Sequence, residues 1–193
     1  MKSAPWLQSC LATMLWVFTL VTEPRGRMLT FPSAEGANVV SSWDILAGKV
    51  AAQGHCVVIG GGLVGAETAE YLANNGCQVS VIEMMDKIAK EESSTVLPTM
   101  MKDFAEHNVA QYINTKVSSI ENDGKCVKAL NTVDNSEIVI DCDMVVMAVG
   151  LVKNVFDVED VTTPIYYAGD CSGERTAGIA EAIRSGYKAG NEI

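Results

Sequence analysis

Three glycines recur at the first, third and sixth places of Gly60-Gly61-Gly62-Leu63-Val64-Gly65. A turn without side chains lets backbone N–H groups close around an anion that a larger residue would keep out. Eighteen positions after Gly65 comes Glu83, a carboxylate able to accept hydrogen bonds from a pair of hydroxyls. A phosphate-cradling turn followed at that distance by a hydroxyl-binding acid is the pattern of a dinucleotide site. Gly60 is expected to permit the tight turn, Gly62 the approach of a pyrophosphate, and Gly65 the close packing of helix on strand. Gly61, Leu63 and Val64 complete the turn, and the helix starting near Leu63 aims free N–H groups and its positive end at the phosphates. Glu83 suits the adenine-ribose diol and would repel a 2′-phosphate, and Met84-Met85-Asp86 supplies no Arg to welcome one. NAD(H) is therefore the expected cofactor rather than NADP(H). The bland alternatives are a glycine-rich turn without a ligand and, for Glu83, an exposed carboxylate at a strand end.

Nothing else in the chain stands out as chemistry: no catalytic nucleophile, acid–base pair or metal site is evident. His55 and His107 have no Asp, Cys or His companion at ligand spacing and are expected to be surface residues at element ends. The six cysteines contain no C-x-x-C, so they read as reduced, structural thiols of a cytoplasmic protein. Cys56 and Cys77 sit among apolar neighbours, where a thiol behaves as a small hydrophobe. The nine methionines, Met84-Met85 and Met100-Met101 among them, read as fillers of core gaps. A formal charge of −10 argues against a nucleic-acid partner, which needs clustered Lys and Arg.

The elements that must position the turn follow from periodicity. His55 to Ile59 is an unbroken apolar run, the signature of a strand buried on both faces. From Leu63 to Asn75 the period becomes helical, with Leu63, Ala66, Ala69, Leu72 and Ala73 on one face, and Gly76 supplies a left-handed stop. Gln78 to Ile82 is a second strand. Strand, helix and strand within about 30 residues make a βαβ unit with a parallel pair. Upstream, Ser41 to Gly48 reads as a short serine-capped helix. Downstream, Ser93, Ser94 or Thr95 can cap a helix running through Met101 and Phe104 to Asn108, with Pro98 tolerated in its first turn. A short strand is expected at 111–113. From Lys116 to Ile140 polar and apolar residues alternate in three pieces, broken at Asn122-Asp123-Gly124 and Asp134-Asn135-Ser136, an antiparallel meander. Asp143 to Gly150 is a last buried strand, 151–164 is expected to be irregular, Thr163 to Ala168 a strand, and 176–190 a helix. The fold class is therefore α/β: a Rossmann-like parallel sheet with crossover helices and a three-stranded antiparallel meander.

Residues 11–21 carry an apolar run with no charge between Lys2 and Glu23. It is short for a transmembrane helix, which needs about 20 residues, and no small-x-small cleavage site follows it. A strand or an ill-fitting chain start is the preferred reading over a signal peptide, and no membrane partner is expected. Residues 24–36 are rich in turn formers and read as a linker. The expected organisation is an N-terminal segment and linker at 1–37, a nucleotide-binding domain at 38–150, and a further piece at 151–193.

Taken together, Gly60-Gly61-Gly62-Leu63-Val64-Gly65-Ala66-Glu67, the meander before Met147-Ala148-Val149-Gly150, and Thr163-Pro164-Ile165-Tyr166-Tyr167-Ala168-Gly169-Asp170 resemble the pyridine-nucleotide half of two-dinucleotide flavoproteins. With Gly169-Asp170-Cys171 and Ala182-Ile183-Arg184-Ser185-Gly186, the wording is closest to the NADH:flavin oxidoreductase and 2,4-dienoyl-CoA reductase group, which includes the enoate reductases. The resemblance spans about residues 28–193. It implies the FAD/NAD(P)-binding fold, with Glu67 towards the nicotinamide side and Gly150 lining the pocket. It also implies Gly169 and Asp170 as contacts to FAD, provided a flavin-bearing domain or chain completes that site. The group's flavin barrel, iron–sulfur cysteines and first FAD glycine turn have no counterpart here, and Glu23 stands where the family has a glycine. Residues 151–193 accordingly read as the remnant of an FAD-binding domain. The implied function is the NAD(H)-binding module of a flavin-dependent oxidoreductase, a fragment of a larger enzyme. The alternatives are a shortened NADH oxidase or ferredoxin-reductase type, or a non-catalytic nucleotide-binding protein.

Overall fold

The computed structural model describes residues 25–26, 38–90, 92–152, 164–169, 172 and 178–192. The strands are β1 (Arg25–Gly26), β2 (Val39–Ser41), β3 (His55–Ile59), β4 (Gln78–Ile82), β5 (Ala110–Tyr112), β6 (Thr115–Glu121), β7 (Cys126–Asn131), β8 (Glu137–Asp141), β9 (Met144–Met147) and β10 (Leu151–Val152). The helices are α1 (Ser42–Leu46), α2 (Leu63–Asn74), α3 (Leu97–Glu106) and α4 (Gly178–Glu192). β2, β9, β3, β4 and β5 form a parallel sheet in that order, and β6, β7 and β8 form the antiparallel meander.

The alternation of side chains along each central strand builds three layers. Cys56 and Val58 of β3, Val79 and Val81 of β4, and Met144 and Val146 of β9 face one side, where they pack with Ile45, Ala66, Leu72, Met100 and Phe104 of the helices. Val57 and Ile59, Ile82, Val145 and Met147 face the other, against Ile120, Val127, Ala129 and Ile140 of the meander. Covered on both faces, β3 reads as a continuous apolar run for the reason given above. The Rossmann-like class with its meander is what the structure has.

Local signals explain most boundaries. Ser41 accepts from the Trp43 N–H at 3.2 Å and caps α1. α2 ends at Asn74 and is followed by Gly76 with φ +86°. α3 begins at Leu97 with Pro98 in its first turn, while Ser93 Oγ accepts from the Val96 N–H at 3.3 Å just ahead of it.

Three expectations need correction. Residues 164–168 are irregular, and Pro164 at their head has no N–H to give to a ladder. Residues 151–152 are not irregular but pair antiparallel with Arg25–Gly26, which is also the described part of the expected linker. His55 is not a surface histidine. Its ring is half-buried, with Nδ1 at 2.7 Å from the Asp141 carbonyl and Nε2 at 2.9 Å from Ser80 Oγ, so it ties β3 to β4 and to the meander. A carbonyl only accepts, so Nδ1 carries the hydrogen and donates. The apolar run at 11–21 and Asp170 lie outside the described residues.

Candidate functional site

The ladder register sets the site. Ile59, Ile82 and Met147 are direct partners at the carboxyl ends of β3, β4 and β9, so Gly60, Glu83 and Ala148 leave the sheet side by side. That edge is where open α/β sheets hold ligands. It is laced by backbone: the Gly60 N–H donates to the Ile82 carbonyl at 2.9 Å, and the Ala148 N–H to the Ile59 carbonyl at 2.8 Å.

The glycines divide the work. Gly60 turns the chain with φ +98°, and a Cβ there would stand 2.5 Å from the Ala148 carbonyl oxygen. A Cβ at Gly65 would overlap the Gly60 carbonyl oxygen, so the helix lies on the strand only because Gly65 has none. At Gly62 a Cβ would meet nothing within 4 Å. Gly62 is the N-cap of α2; no side chain caps that turn and no acid lies in it. The first helical N–H groups thus face open space with the positive end of the dipole.

Glu83 is held across this turn. One carboxylate oxygen accepts the Gly61 N–H at 2.5 Å and the other the Met85 N–H at 2.7 Å. A cavity of about 530 Å³ opens beside it, lined on the turn side by Gly60, Gly62, Glu83, Ala148 and Gly150. Met84, Thr115, Lys116 and Val117 line its other wall.

Of the site residues named from the sequence, Gly60, Gly62, Glu83 and Gly150 therefore meet at one cavity. Gly61 is buried behind Glu83, Gly65 is buried under the helix start, and Leu63 and Val64 form its first turn. Glu67 is exposed on α2 and is not among the lining residues. Gly169 lies elsewhere: its N–H donates to Ser185 Oγ of α4 at 2.9 Å. Sequence reasoning missed Met84, Thr115, Lys116 and Val117. Met84 and Met85 were expected to fill the core, yet both are exposed, because the chain leaves the sheet at Glu83. The start of β6 is brought there by the Thr115 N–H donating to the Glu83 carbonyl at 2.9 Å and the Asn114 N–H to the Met85 carbonyl at 2.8 Å.

The thiols take no part in this edge. Cys56, Cys77, Cys126 and Cys142 are free and buried. Burial first, and then the neighbouring Cys77, pushes the Cys56 thiol up to about 12. Burial, followed by Cys126, pushes Cys142 up to about 11. Both stay protonated at neutral pH. Among the described residues no group of His, Cys, Asp and Glu could hold a metal ion, and no helix is long and apolar enough to cross a membrane.

Residues 27–165 match the pyridine nucleotide-disulphide oxidoreductase family. The chain belongs to that family. Members of the family use NAD(P)H and FAD, and the family's nucleotide-binding fold is the one described above. A bilirubin reductase of Mediterraneibacter gnavus is 45% identical over 168 residues, covering 84% of this chain and 25% of the relative. An NADH oxidase of Thermoanaerobacter brockii is 37% identical over 101 residues, 51% of this chain and 16% of that protein. Among solved structures, a 2-naphthoyl-CoA reductase in complex with 2-naphthoyl-CoA superposes with a TM-score of 0.71 at 28% identity, covering 88% of this chain and 26% of that one. The chain spans a quarter or less of the length of these two curated relatives.

Proposed function

We propose that this chain is the NAD(H)-binding module of a flavin-dependent oxidoreductase. The observation that carries the reading is Glu83, fixed by two backbone N–H groups at the mouth of a cavity whose other rim is the open face of Gly62. Each carboxylate oxygen accepts one N–H and keeps lone pairs for a ribose hydroxyl. Gly60, Gly61, Gly62 and the first turn of α2 (Leu63, Val64, with Gly65 beneath) hold the pyrophosphate, and Met84 offers its thioether to the adenine. Gly150 borders the far end of the pocket, with Glu67 towards the nicotinamide. When bound, the nicotinamide supplies a hydride that a flavin accepts, chemistry that belongs to the cofactors. Gly169 and Asp170 contribute to FAD only where a flavin-bearing domain or chain completes the site.

The larger enzyme is of the enoate or dienoyl-CoA reductase kind, acting in the cytoplasm on NADH with no nucleic-acid partner. The domain division at 37 and 150 belongs to the same reading. A truncated NADH oxidase is the second reading, favoured by the match to the Thermoanaerobacter brockii enzyme.

Titrating the full chain with NADH and NADPH, followed by nicotinamide fluorescence, tests the proposal. Glu83→Ala is expected to weaken NADH about tenfold, the worth of a charged hydrogen bond, and to erase the preference over NADPH. A variant that kept the full preference would remove the role given to Glu83. A purified chain that is yellow and oxidises NADH would move the reading to the truncated oxidase. Failure of the wild type to bind either nucleotide would leave a non-catalytic assembly protein.

A further inference from the structure

Lys116 is the cation of the cavity wall. It follows Thr115, whose N–H is bonded to the carbonyl of Glu83 itself, so the backbone of Lys116 is held close to that of Glu83 on one rim of the cavity. Among the described residues the Lys116 side chain makes no ion pair within 4.0 Å and no hydrogen bond, whereas Lys90 is bound to Asp86 at 2.9 Å and Lys128 to Glu121 at 2.9 Å. In a chain of net charge −10, an ammonium carried on that rim, with no ion pair among the described residues, is a donor for an incoming anion. Asp86, the nearest other acid in sequence, has its charge taken up by Lys90 and does not compete.

We propose that Lys116 is a second determinant of nucleotide choice: it receives a phosphate on the adenosine ribose and offsets the repulsion from Glu83. The site then accepts NADPH with a modest penalty instead of excluding it. This rests on the nucleotide-binding reading above. The 2′-phosphate carries up to two negative charges at neutral pH, so Glu83 repels it while Lys116 attracts it. NADH carries an uncharged 2′-hydroxyl at that position, which bonds Glu83 but senses the charge of Lys116 little.

The test titrates the full-length chain with NADH and NADPH by nicotinamide fluorescence, for the wild type, Lys116→Gln and Lys116→Arg. Lys116→Gln is expected to weaken NADPH roughly five- to tenfold and to change NADH by less than about twofold. Lys116→Arg should restore NADPH. Raising the salt should weaken NADPH more steeply than NADH in the wild type, and Lys116→Gln should abolish that difference. Equal weakening of both nucleotides, or no change in either, overturns the role of Lys116 while leaving the nucleotide site in place. A wild type that binds neither nucleotide overturns both. Lys116 is exposed on β6, so circular dichroism melting of Lys116→Gln is expected to match the wild type; a lowered melting temperature with loss of both nucleotides counts against the proposal.

Discussion

At the scale of single residues, the glycine turn separates folding from binding, because its members meet different surroundings. A methyl at Gly65 collides with the Gly60 carbonyl, which is backbone and cannot rotate away. Gly65→Ala is therefore expected to cost roughly 2–3 kcal/mol of stability, the range for overpacking a close contact, read from urea unfolding. A methyl at Gly62 meets open space on ordinary backbone at φ −65°. Gly62→Ala is expected to unfold within about 1 kcal/mol of the wild type, the modest cost of alanine at an N-cap, and yet to lose NADH affinity at least tenfold. If the two variants lost stability and affinity in the same proportion, the division between packing glycine and cradle glycine would not hold.

At the scale of elements, what could be read from the sequence is what local physics decides. The period-2 and 3.6 patterns, the glycine stop at Gly76 and the turn at Asn122–Gly124 placed β3, α2, β4 and the meander within a residue or two. What could not be read depends on partners distant in the chain. Lys116 reaches the site only because Thr115 docks on Glu83, 32 positions earlier, and nothing in the local pattern says so. His55 is another case: its ring bridges Ser80 and Asp141, and no spacing rule points to either. The residues of 164–168 have strand propensity, yet they form no strand, and Pro164 lacks the N–H that a ladder uses. The buried thiols give the central sheet a pH signature. An unfolded thiol ionises near 9.0, whereas the fold keeps Cys56 and Cys142 protonated until about 12 and about 11. As pH rises past 9 the unfolded chain releases protons that the native state retains, so this contribution to stability is complete below pH 9 and is lost progressively towards pH 11. The slope is at most about 1.4 kcal/mol per pH unit for each thiol. Urea midpoints at pH 7.5, 9 and 10 should fall accordingly, and Cys56→Val should flatten the decline; equal slopes for the two proteins would remove Cys56 from the account.

At the scale of the whole molecule, the nucleotide edge and the C-terminal helix are built from different residues among those described. The cavity is lined by residues from Ile59 to Gly150, while α4 is tied to its own neighbourhood: Ser185 Oγ accepts the Gly169 N–H, and the Tyr166 hydroxyl donates to the Glu192 carbonyl at 3.0 Å. On its outer side Ile179, Ile183 and Tyr187 recur every four residues and are 82%, 68% and 76% exposed. Large apolar side chains aligned on one helical face, in water, favour association over solubility. Their removal costs the fold little, because an exposed group has no burial to lose. The paired substitution Ile179→Lys and Ile183→Lys is therefore expected to leave the urea midpoint equivalent to within about 0.5 kcal/mol and NADH affinity unchanged. It should also reduce concentration-dependent association in sedimentation velocity. A loss of stability beyond about 1 kcal/mol would mean that the stripe is covered in solution, and a change in NADH affinity would mean that α4 and the nucleotide edge communicate.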